Sequence, residues 1–279
     1  MRGDRDEALR LFGKAIEINP EFTRAHMGMA DVYRIDGDYA KAEKAYGKSA
    51  ALEPQNFDAQ YFHGLMLHVL GRAQDAIGAY LRSLSIKPDD FQANLNISAA
   101  YYQIGESGQG LPYAQTAVRL NPKDGTARLN LGTLYAELGK DREAVAEYQQ
   151  AAELMPLTPA LLTNLSDSLG RLQRFDEMRN TLEQLAKTAP SPAAYERLGF
   201  SLFKLKLFDE SRENFNKALA LDANYCPALN GLGVCELNAW LWSERKDDGA
   251  RTRAFDALRK SLVIKPGQPR IQEILSRYQ

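Results

Sequence analysis

The sequence predicts an all-α protein built from stacked pairs of antiparallel helices, because several kinds of residue recur with one period. A proline returns every 34 residues, six times in succession. Glycines and aromatic residues keep the same spacing at their own places in the unit. A period of this length, held by several residue types, indicates a repeat architecture. The prolines are Pro20, Pro54, Pro88, Pro122, Pro156 and Pro190.

Each recurring residue has a physical role if one period consists of a first helix, a tight turn and a second helix. Proline lacks an amide donor and clashes with the preceding turn, so it closes the second helix. Glycine accepts the left-handed conformation that ends the first helix and releases the chain into the turn. The glycines are Gly3, Gly37, Gly71, Gly105 and Gly139.

Small and aromatic residues predict how the two helices of a unit meet. An aromatic residue lies eight positions before the proline at Phe12, Tyr46, Tyr80 and Tyr148. Each first helix carries a small residue at one register position, which lets the two backbones approach closely where they cross. The small residues are Ala30, Gly64, Ser98, Gly132, Ser166, Gly199 and Gly233.

These positions resemble the tetratricopeptide repeat, best seen in ARLNLGTLYAELGKDREAVAEYQQAAELMP at 127–156. The resemblance covers nearly the whole chain. It implies a right-handed superhelical solenoid whose first helices line a concave inner surface. We therefore predict a single solenoid over residues 1–279, with about seven repeats between a partial N-terminal repeat and a C-terminal capping helix. The expected segments are 4–20 for the partial repeat, then 21–54, 55–88, 89–122, 123–156, 157–190, 191–223 and 224–266, and 267–279 for the cap.

Two departures from the period predict local changes. Pro112 follows an unusual turn, and a proline fits a helix only in its first turn, so we expect that second helix to start late, near residue 111. Pro266 lies 43 residues after Ala223, where 34 would be expected. We place the insertion near 240–250, within NAWLWSERKDDGARTRAF at 238–255.

The start of the chain also departs from the pattern. Gly3 corresponds to the turn between helices, so the first helix of the first unit is missing from the sequence. We expect this chain to be a fragment, or the ordered part, of a longer protein. A targeting signal could then lie upstream, and the compartment is left open.

The composition and motifs argue against several classes of chemistry. The chain has 35 basic and 36 acidic residues, so there is no bulk charge to favour nucleic acid. No apolar run approaches the roughly 18 residues that a membrane helix needs. Phosphate-binding glycine loops, GxSxG and HExxH are missing, and the three histidines are scattered. We predict no catalytic residue, no metal site, no cofactor, no nucleic-acid partner and no membrane insertion.

Three asparagines, Asn96, Asn130 and Asn164, repeat on the predicted inner surface. An asparagine amide is both a donor and an acceptor, so such a ladder can pair with the backbone of an extended peptide. In the resembling family, a ladder of this kind contacts bound peptide. Asparagine is also the commonest family residue at this place, whether or not a ligand is known, so both interpretations stay open.

Other candidates on the inner surface are larger or charged. We expect the apolar and aromatic members to anchor a partner, or to pack against the neighbouring first helix. The basic members would steer an acidic segment. The candidates are Tyr61, Phe62, Leu65, Tyr102, Arg197, Phe200 and Lys204.

Trp240 and Trp242 are the two tryptophans of the chain. Residues two apart on a helix point about 200° from each other, so both cannot be buried against one neighbour. We expect one to pack beneath the insertion or the cap and the other to be available for docking. Docking and cap packing both remain open as their role.

Taken together, these patterns predict a protein–protein interaction module or scaffold that holds an extended peptide or a helix of a partner in its concave groove. The partner would be another protein or peptide, or a larger complex. One alternative is a substrate-recruiting module of a larger enzyme. Another is a structural scaffold that self-associates, since an uncapped solenoid end can stack on another copy.

Overall fold

A computed structural model describes residues 2–278, with side chains from Asp4. This part of the chain contains sixteen α-helices and no β-strand. The helices are α1 Arg2–Ile18, α2 Thr23–Ile35, α3 Tyr39–Leu52, α4 Phe57–Val69, α5 Ala73–Ile86, α6 Phe91–Gln103, α7 Ser107–Leu120, α8 Gly125–Glu137, α9 Asp141–Leu154, α10 Pro159–Arg171, α11 Phe175–Thr188, α12 Pro192–Lys204, α13 Phe208–Leu221, α14 Cys226–Trp242, α15 Asp248–Ile264 and α16 Pro269–Tyr278.

The chain divides into two compact units, Met1–Met155 and Pro156–Gln279. In the first unit, α1 packs on α2, and α2/α3, α4/α5, α6/α7 and α8/α9 form helix pairs. In the second unit the pairs are α10/α11, α12/α13 and α14/α15, and α16 packs on α15. Within each unit a first helix also contacts the second helix of the preceding pair. The predicted stacking of helix pairs is therefore confirmed.

Side-chain caps explain where most first helices begin. Asn56, Asp90 and Asp124 each precede a first helix of the first unit, and their side-chain oxygens accept hydrogen bonds from backbone amides at 3.1, 2.9 and 2.8 Å. Thr158 and Ser191 cap α10 and α12 in the same way. Each cap satisfies an amide that the first helical turn leaves without a partner.

In both units the turn from first to second helix contains a left-handed residue. Gly37, Gly71, Gly105 and Gly139 have φ between 71° and 80°, as the repeat pattern predicts. In the second unit Gln173 and Lys206 adopt φ of 59° and 64° at the corresponding turns. The turn geometry is therefore kept where the glycine is lost, at a conformational cost that side chains with a Cβ impose.

Close packing explains the small residues at the helix crossings. A Cβ added to Gly64 would lie 2.8 Å from the ring of Tyr80, and one added to Gly132 would lie 2.7 Å from the ring of Tyr148. The Tyr46, Tyr80 and Tyr148 rings are fully buried. Gly64 and Gly132 therefore each make room for an aromatic ring of the same pair.

The expected late start of the fourth second helix is wrong. Helix α7 begins at Ser107, and Pro112 lies inside it. Pro112 cannot donate to the carbonyl of Gly108, but this side of α7 is exposed, so water can satisfy that carbonyl. The position of Pro112 on the solvent side, rather than in the first turn, allows the helix to continue through it.

The last pair absorbs its insertion by lengthening both helices as well as the turn. Helices α14 and α15 have 17 residues each, whereas α12 and α13 have 13 and 14. The turn occupies 243–247, and Glu244 and Arg245 are left-handed there. Among the described helices, none is long and apolar enough to cross a membrane.

Candidate functional site

The residues that the sequence predicts for the inner surface are half-buried or exposed side chains of the first helices. We call this set of side chains the first-helix face of each unit. In the first unit it includes Tyr61, Phe62, Leu65, Asn96, Tyr102 and Asn130. In the second unit it includes Asn164, Arg197, Phe200 and Lys204.

Asn96 and Tyr61 contact each other across neighbouring first helices. The Nδ2 of Asn96 donates a hydrogen bond to the hydroxyl oxygen of Tyr61 at 3.0 Å. The Tyr61 ring packs against the core around Tyr80, and its burial raises the pKa of the hydroxyl. One donor of the Asn96 amide is thus engaged within the protein, and its oxygen remains available to a ligand.

The two other asparagines differ from Asn96. Asn130 is half-buried, and its amide makes no hydrogen bond within residues 2–278. A half-buried amide without an internal hydrogen bond offers both a donor and an acceptor to a ligand. Asn164 is also half-buried, on α10 of the second unit.

Phe62 and Leu65 are partly buried against the core of the α2/α3 pair. The Phe62 ring stacks on Tyr46 with centroids 5.4 Å apart, and the Arg34 guanidinium lies 5.3 Å from the Phe62 centroid. Much of the area of these two side chains is therefore used within the fold. Tyr102 is different, since 44% of its surface is exposed.

In the second unit, a cation lies over two aromatic rings. The Nζ of Lys204 is 5.4 Å from the centroid of Phe200 and 5.9 Å from that of Phe175. The two rings meet edge to face, and 40% of Phe200 is exposed. Lys204 has no ion-pair partner within the described residues, so its charge is available to a ligand. Sequence reasoning missed Phe175, because this residue starts the second helix of the preceding pair. Only the packing of α12 on α11 brings it to Lys204.

Arg197 forms an ion pair with Asp167, between Nη1 and Oδ1 at 3.1 Å. Burial raises the pKa of the Asp167 carboxyl, and the nearby arginines partly oppose that change. Next to Arg197 is a mostly apolar cavity of about 350 Å³. Its wall includes Pro159, Leu185 and Pro190, so this part of the second unit can accept a small apolar group.

The two tryptophans have different surroundings. Trp240 is 7% exposed and packs in a cluster with Leu237 and Ala250, against which Ile274 and Tyr278 of α16 also pack. Trp242 is 66% exposed, and its ring meets Phe208 edge to face with centroids 4.9 Å apart. Trp242 therefore presents most of its indole to solvent, whereas Trp240 does not.

Comparisons with known proteins agree with this architecture. Among solved structures, YrrB, described as a TPR protein with an unusual peptide-binding site, is 18% identical, with a TM-score of 0.61 over 71% of this chain and 98% of its own. The C-terminal part of a TPR repeat-containing protein from Cytophaga hutchinsonii is 13% identical, with a TM-score of 0.67 over 88% of this chain and 97% of its own. A tetratricopeptide repeat protein from Parabacteroides merdae is 17% identical, with a TM-score of 0.59 over 92% of this chain and 98% of its own.

At these identities the similarity concerns the fold. No match to the chain is found among curated proteins. The family model of the tetratricopeptide repeat matches residues 2–51, 36–91, 95–159 and 163–225. Repeats of this kind generally form non-enzymatic modules for interaction with other proteins. Because these matches cover most of the sequence, the chain belongs to the tetratricopeptide repeat family.

Proposed function

We propose that the protein binds an extended peptide segment or a helix of another protein on its first-helix faces, and that it has no catalytic role of its own. The observation that supports this most directly is an exposed aromatic side chain on the first-helix face of each unit, Tyr102 in the first and Phe200 in the second. Exposed aromatic residues of this kind commonly become the anchors of an interface when a partner covers them.

The polar residues of the first-helix faces suit a peptide backbone. The free amide of Asn130 offers one donor and one acceptor, which is what an extended backbone requires. Lys204 adds an ammonium group that can pair with a carboxylate of the partner. Asn164 and Arg197 contribute further polar groups to the second unit. The description of YrrB as a TPR protein with a peptide-binding site is in keeping with this proposal.

A display selection tests the proposal, because it finds ligands from a random library. The intact chain is immobilised, and a phage library of random 12-residue peptides is selected against it. The affinity of each enriched peptide is then measured by isothermal titration calorimetry. We expect Tyr102→Ala or Phe200→Ala to weaken binding at least tenfold, since truncation of a buried aromatic anchor costs about 2 kcal/mol or more.

Two comparisons make the result specific to the first-helix face. Leu81→Ala truncates an exposed side chain on the second helix α5 and should leave the affinity unchanged. The triple change of Asn96, Asn130 and Asn164 to alanine tests the ladder itself. Unchanged affinity in the triple variant, with its circular dichroism intact, would exclude the ladder. Unchanged affinity in both aromatic variants would exclude the first-helix face as the binding site.

A further inference from the structure

Three arginines near the C-terminal end of the second unit lie over two buried aromatic rings. The Cζ of Arg245 lies 5.5 Å from the Trp240 ring centroid, and that of Arg251 lies 5.6 Å from it. Arg251 is also 5.5 Å from the Phe255 centroid, and Arg259 is 5.6 Å from it. We call this surface the stacked-arginine face. It consists of Arg245, Trp240, Arg251, Phe255 and Arg259.

The rings of this face are covered, and the cations are accessible. Phe255 is 6% exposed, whereas the three arginines are exposed. Within residues 2–278, none of these arginines pairs with a carboxylate. Arg253, on the same helix, does have such a partner, because its Nη2 lies 2.9 Å from Oε2 of Glu236. The unpaired arginines are therefore a feature of this face rather than of the helix as a whole.

A cation–π contact leaves the N–H donors of a guanidinium unused. Those donors lie in the guanidinium plane, where they can bind a carboxylate with two parallel bonds. The aromatic ring also limits the motion of the side chain, which reduces the entropy lost when an anion binds. Arg251 and Arg259 are thus held ready for an anionic group.

Shape and local charge fit the same kind of ligand. A shallow cavity of about 360 Å³ lies along α15 and is lined by Arg251, Phe255, Arg259 and the neighbouring Asp248, Thr252 and Asp256. Residues 243–279 contain nine Lys and Arg against five Asp and Glu, although the whole chain has a net charge of −1. The excess of basic residues in this segment attracts acidic partners to this end of the chain, whereas the cavity itself is lined by two arginines and two aspartates.

We propose that the stacked-arginine face binds an acidic segment of a partner protein, with carboxylates that pair with Arg251 and Arg259. The two arginines are eight residues apart on α15, which places them about 12 Å apart along the helix. In an extended peptide, side chains four residues apart are separated by about 13 Å, a similar distance. This site is separate from the proposed peptide site, because α15 is a second helix.

The two aspartates decide between an acidic peptide and a continuous polyanion. Asp248 and Asp256 line the same cavity as the arginines. Their carboxylates would repel the closely spaced phosphates of a nucleic acid or of an anionic bilayer. A peptide can place neutral or basic residues opposite them and keep its glutamates for the arginines. The mixed charge of the surface therefore favours a protein segment.

The position of Trp240 supplies a direct readout. Trp242→Phe leaves Trp240 as the one tryptophan of the chain, and Trp240 lies beneath Arg245 and Arg251. The probe is the peptide Gly-Ser-Glu-Gly-Ser-Gly-Glu-Ser-Gly, whose two glutamates are four residues apart. It is titrated into the full chain with the Trp242→Phe change. We expect a saturable change in Trp240 emission that weakens as salt is added.

Three variants, each combined with Trp242→Phe, test whether Arg251 and Arg259 bind the peptide. Arg259 stacks on Phe255 rather than on Trp240, and Arg259→Gln should weaken binding about tenfold, as loss of one charged hydrogen-bonded pair requires. Arg251→Lys keeps the charge but loses the planar fork, and should also weaken binding. Lys265→Gln removes an equal charge from an exposed site outside the cavity and should change the affinity less than about twofold.

Several outcomes would overturn the proposal. One is equal binding of the matching peptide with both glutamates replaced by glutamine. Another is equal loss of affinity in Lys265→Gln and Arg259→Gln. Tighter binding of a single-stranded oligothymidine or of phosphatidylserine vesicles would replace the acidic peptide by a phosphate partner. Phe200→Ala should leave binding of the acidic peptide unchanged. A failure of the stacked-arginine proposal is therefore distinguishable from a failure of the first-helix proposal.

Discussion

The hydroxyl of Tyr46 donates a hydrogen bond to Oδ1 of Asp31 at 2.5 Å and accepts one from Nε of Arg34 at 3.1 Å. Tyr80 has the same place in the next pair, but Leu65 and His68 stand where Asp31 and Arg34 would be. The Tyr80 hydroxyl is buried and has no partner within the described residues. The hydroxyl of Tyr46 therefore has hydrogen-bond partners within its own helix pair, whereas the hydroxyl of Tyr80 has none among the described residues.

This difference predicts opposite effects for the same substitution. Tyr46→Phe should lower the free energy of unfolding by about 1–2 kcal/mol, because it removes two partly buried hydrogen bonds, one of them to a carboxylate. Tyr80→Phe should leave it unchanged or raise it by up to about 1 kcal/mol, because it removes a buried hydroxyl without a partner. Urea unfolding measures both, with Tyr39→Phe as an exposed control. A larger loss for Tyr80→Phe than for Tyr46→Phe would contradict the assignment.

The left-handed turn residues of the second unit predict a stabilising change to glycine. Gln173 and Lys206 have positive φ at turns where the first unit uses glycine. Gln173→Gly and Lys206→Gly should each raise the free energy of unfolding by about 0.5–1 kcal/mol, since glycine has no Cβ to strain. Thermal or urea unfolding checks this. Gln149→Gly in the interior of α9 is the matched control and should lower it by about 1 kcal/mol.

Two half-buried histidines predict a loss of stability at acidic pH. Burial lowers the pKa of His63 and of His68 below the ordinary value of 6.5. Glu43 partly opposes this change at His63, whereas Arg72 and Arg82 add to it. Between the folded and unfolded pKa values the unfolded chain binds more protons. The contribution of the neutral histidines to the free energy of unfolding is therefore complete above pH 6.5. It is lost as the pH falls through their folded pKa values.

The measurement is urea unfolding at about pH 7.5 and about pH 5.5, on either side of the ordinary histidine pKa. The wild-type chain should lose more stability between the two pH values than the double variant His63→Gln/His68→Gln. The double variant is the reference for the wild-type chain, because it retains every other group that titrates in this range. Equal losses in the two proteins would show that these histidines do not cause the pH dependence.

The buried carboxylate of Glu236 predicts that stability depends strongly on its arginine partners. Its side chain is buried, and its carboxylate lies 2.9 Å from Nη2 of Arg253 and 3.7 Å from Nη1 of Arg212. Arg253→Ala should lower the free energy of unfolding by about 1–3 kcal/mol, because a buried carboxylate loses its closest cation. Glu236→Met combined with Arg253→Ala should recover part of that loss, since the buried charge is gone.

An exposed ion pair of the same unit provides the contrast. Lys246 and Glu244 lie 2.6 Å apart between Nζ and Oε2, and both side chains are largely in solvent. Lys246→Ala should change stability by less than about 0.5 kcal/mol. Urea unfolding of the three variants measures these changes in the free energy of unfolding. A cost for Lys246→Ala as large as that for Arg253→Ala would mean that burial of Glu236 is not the cause.

The helices and their turns could be predicted from the sequence because their signals are local. The periodic prolines and glycines act through backbone geometry within a few residues, and the small residues act at one crossing of adjacent helices. Pro112 shows the limit of this reasoning. Its ring is compatible with helix α7 only because the chain places it on an exposed side, and no local pattern reveals that orientation.

The candidate site was less predictable, because its chemistry depends on residues distant in sequence. The repeat placed Asn96 and Asn130 in equivalent positions, but only the folded chain brings Tyr61 to Asn96 and leaves Asn130 without a partner among the described residues. The order of amino acids alone specifies the repeat, its register and the succession of helices, since these follow from short-range backbone preferences. The packed chain then selects which side chains remain available to a ligand, because hydrogen bonds and ring contacts between different helices consume some of them and expose others.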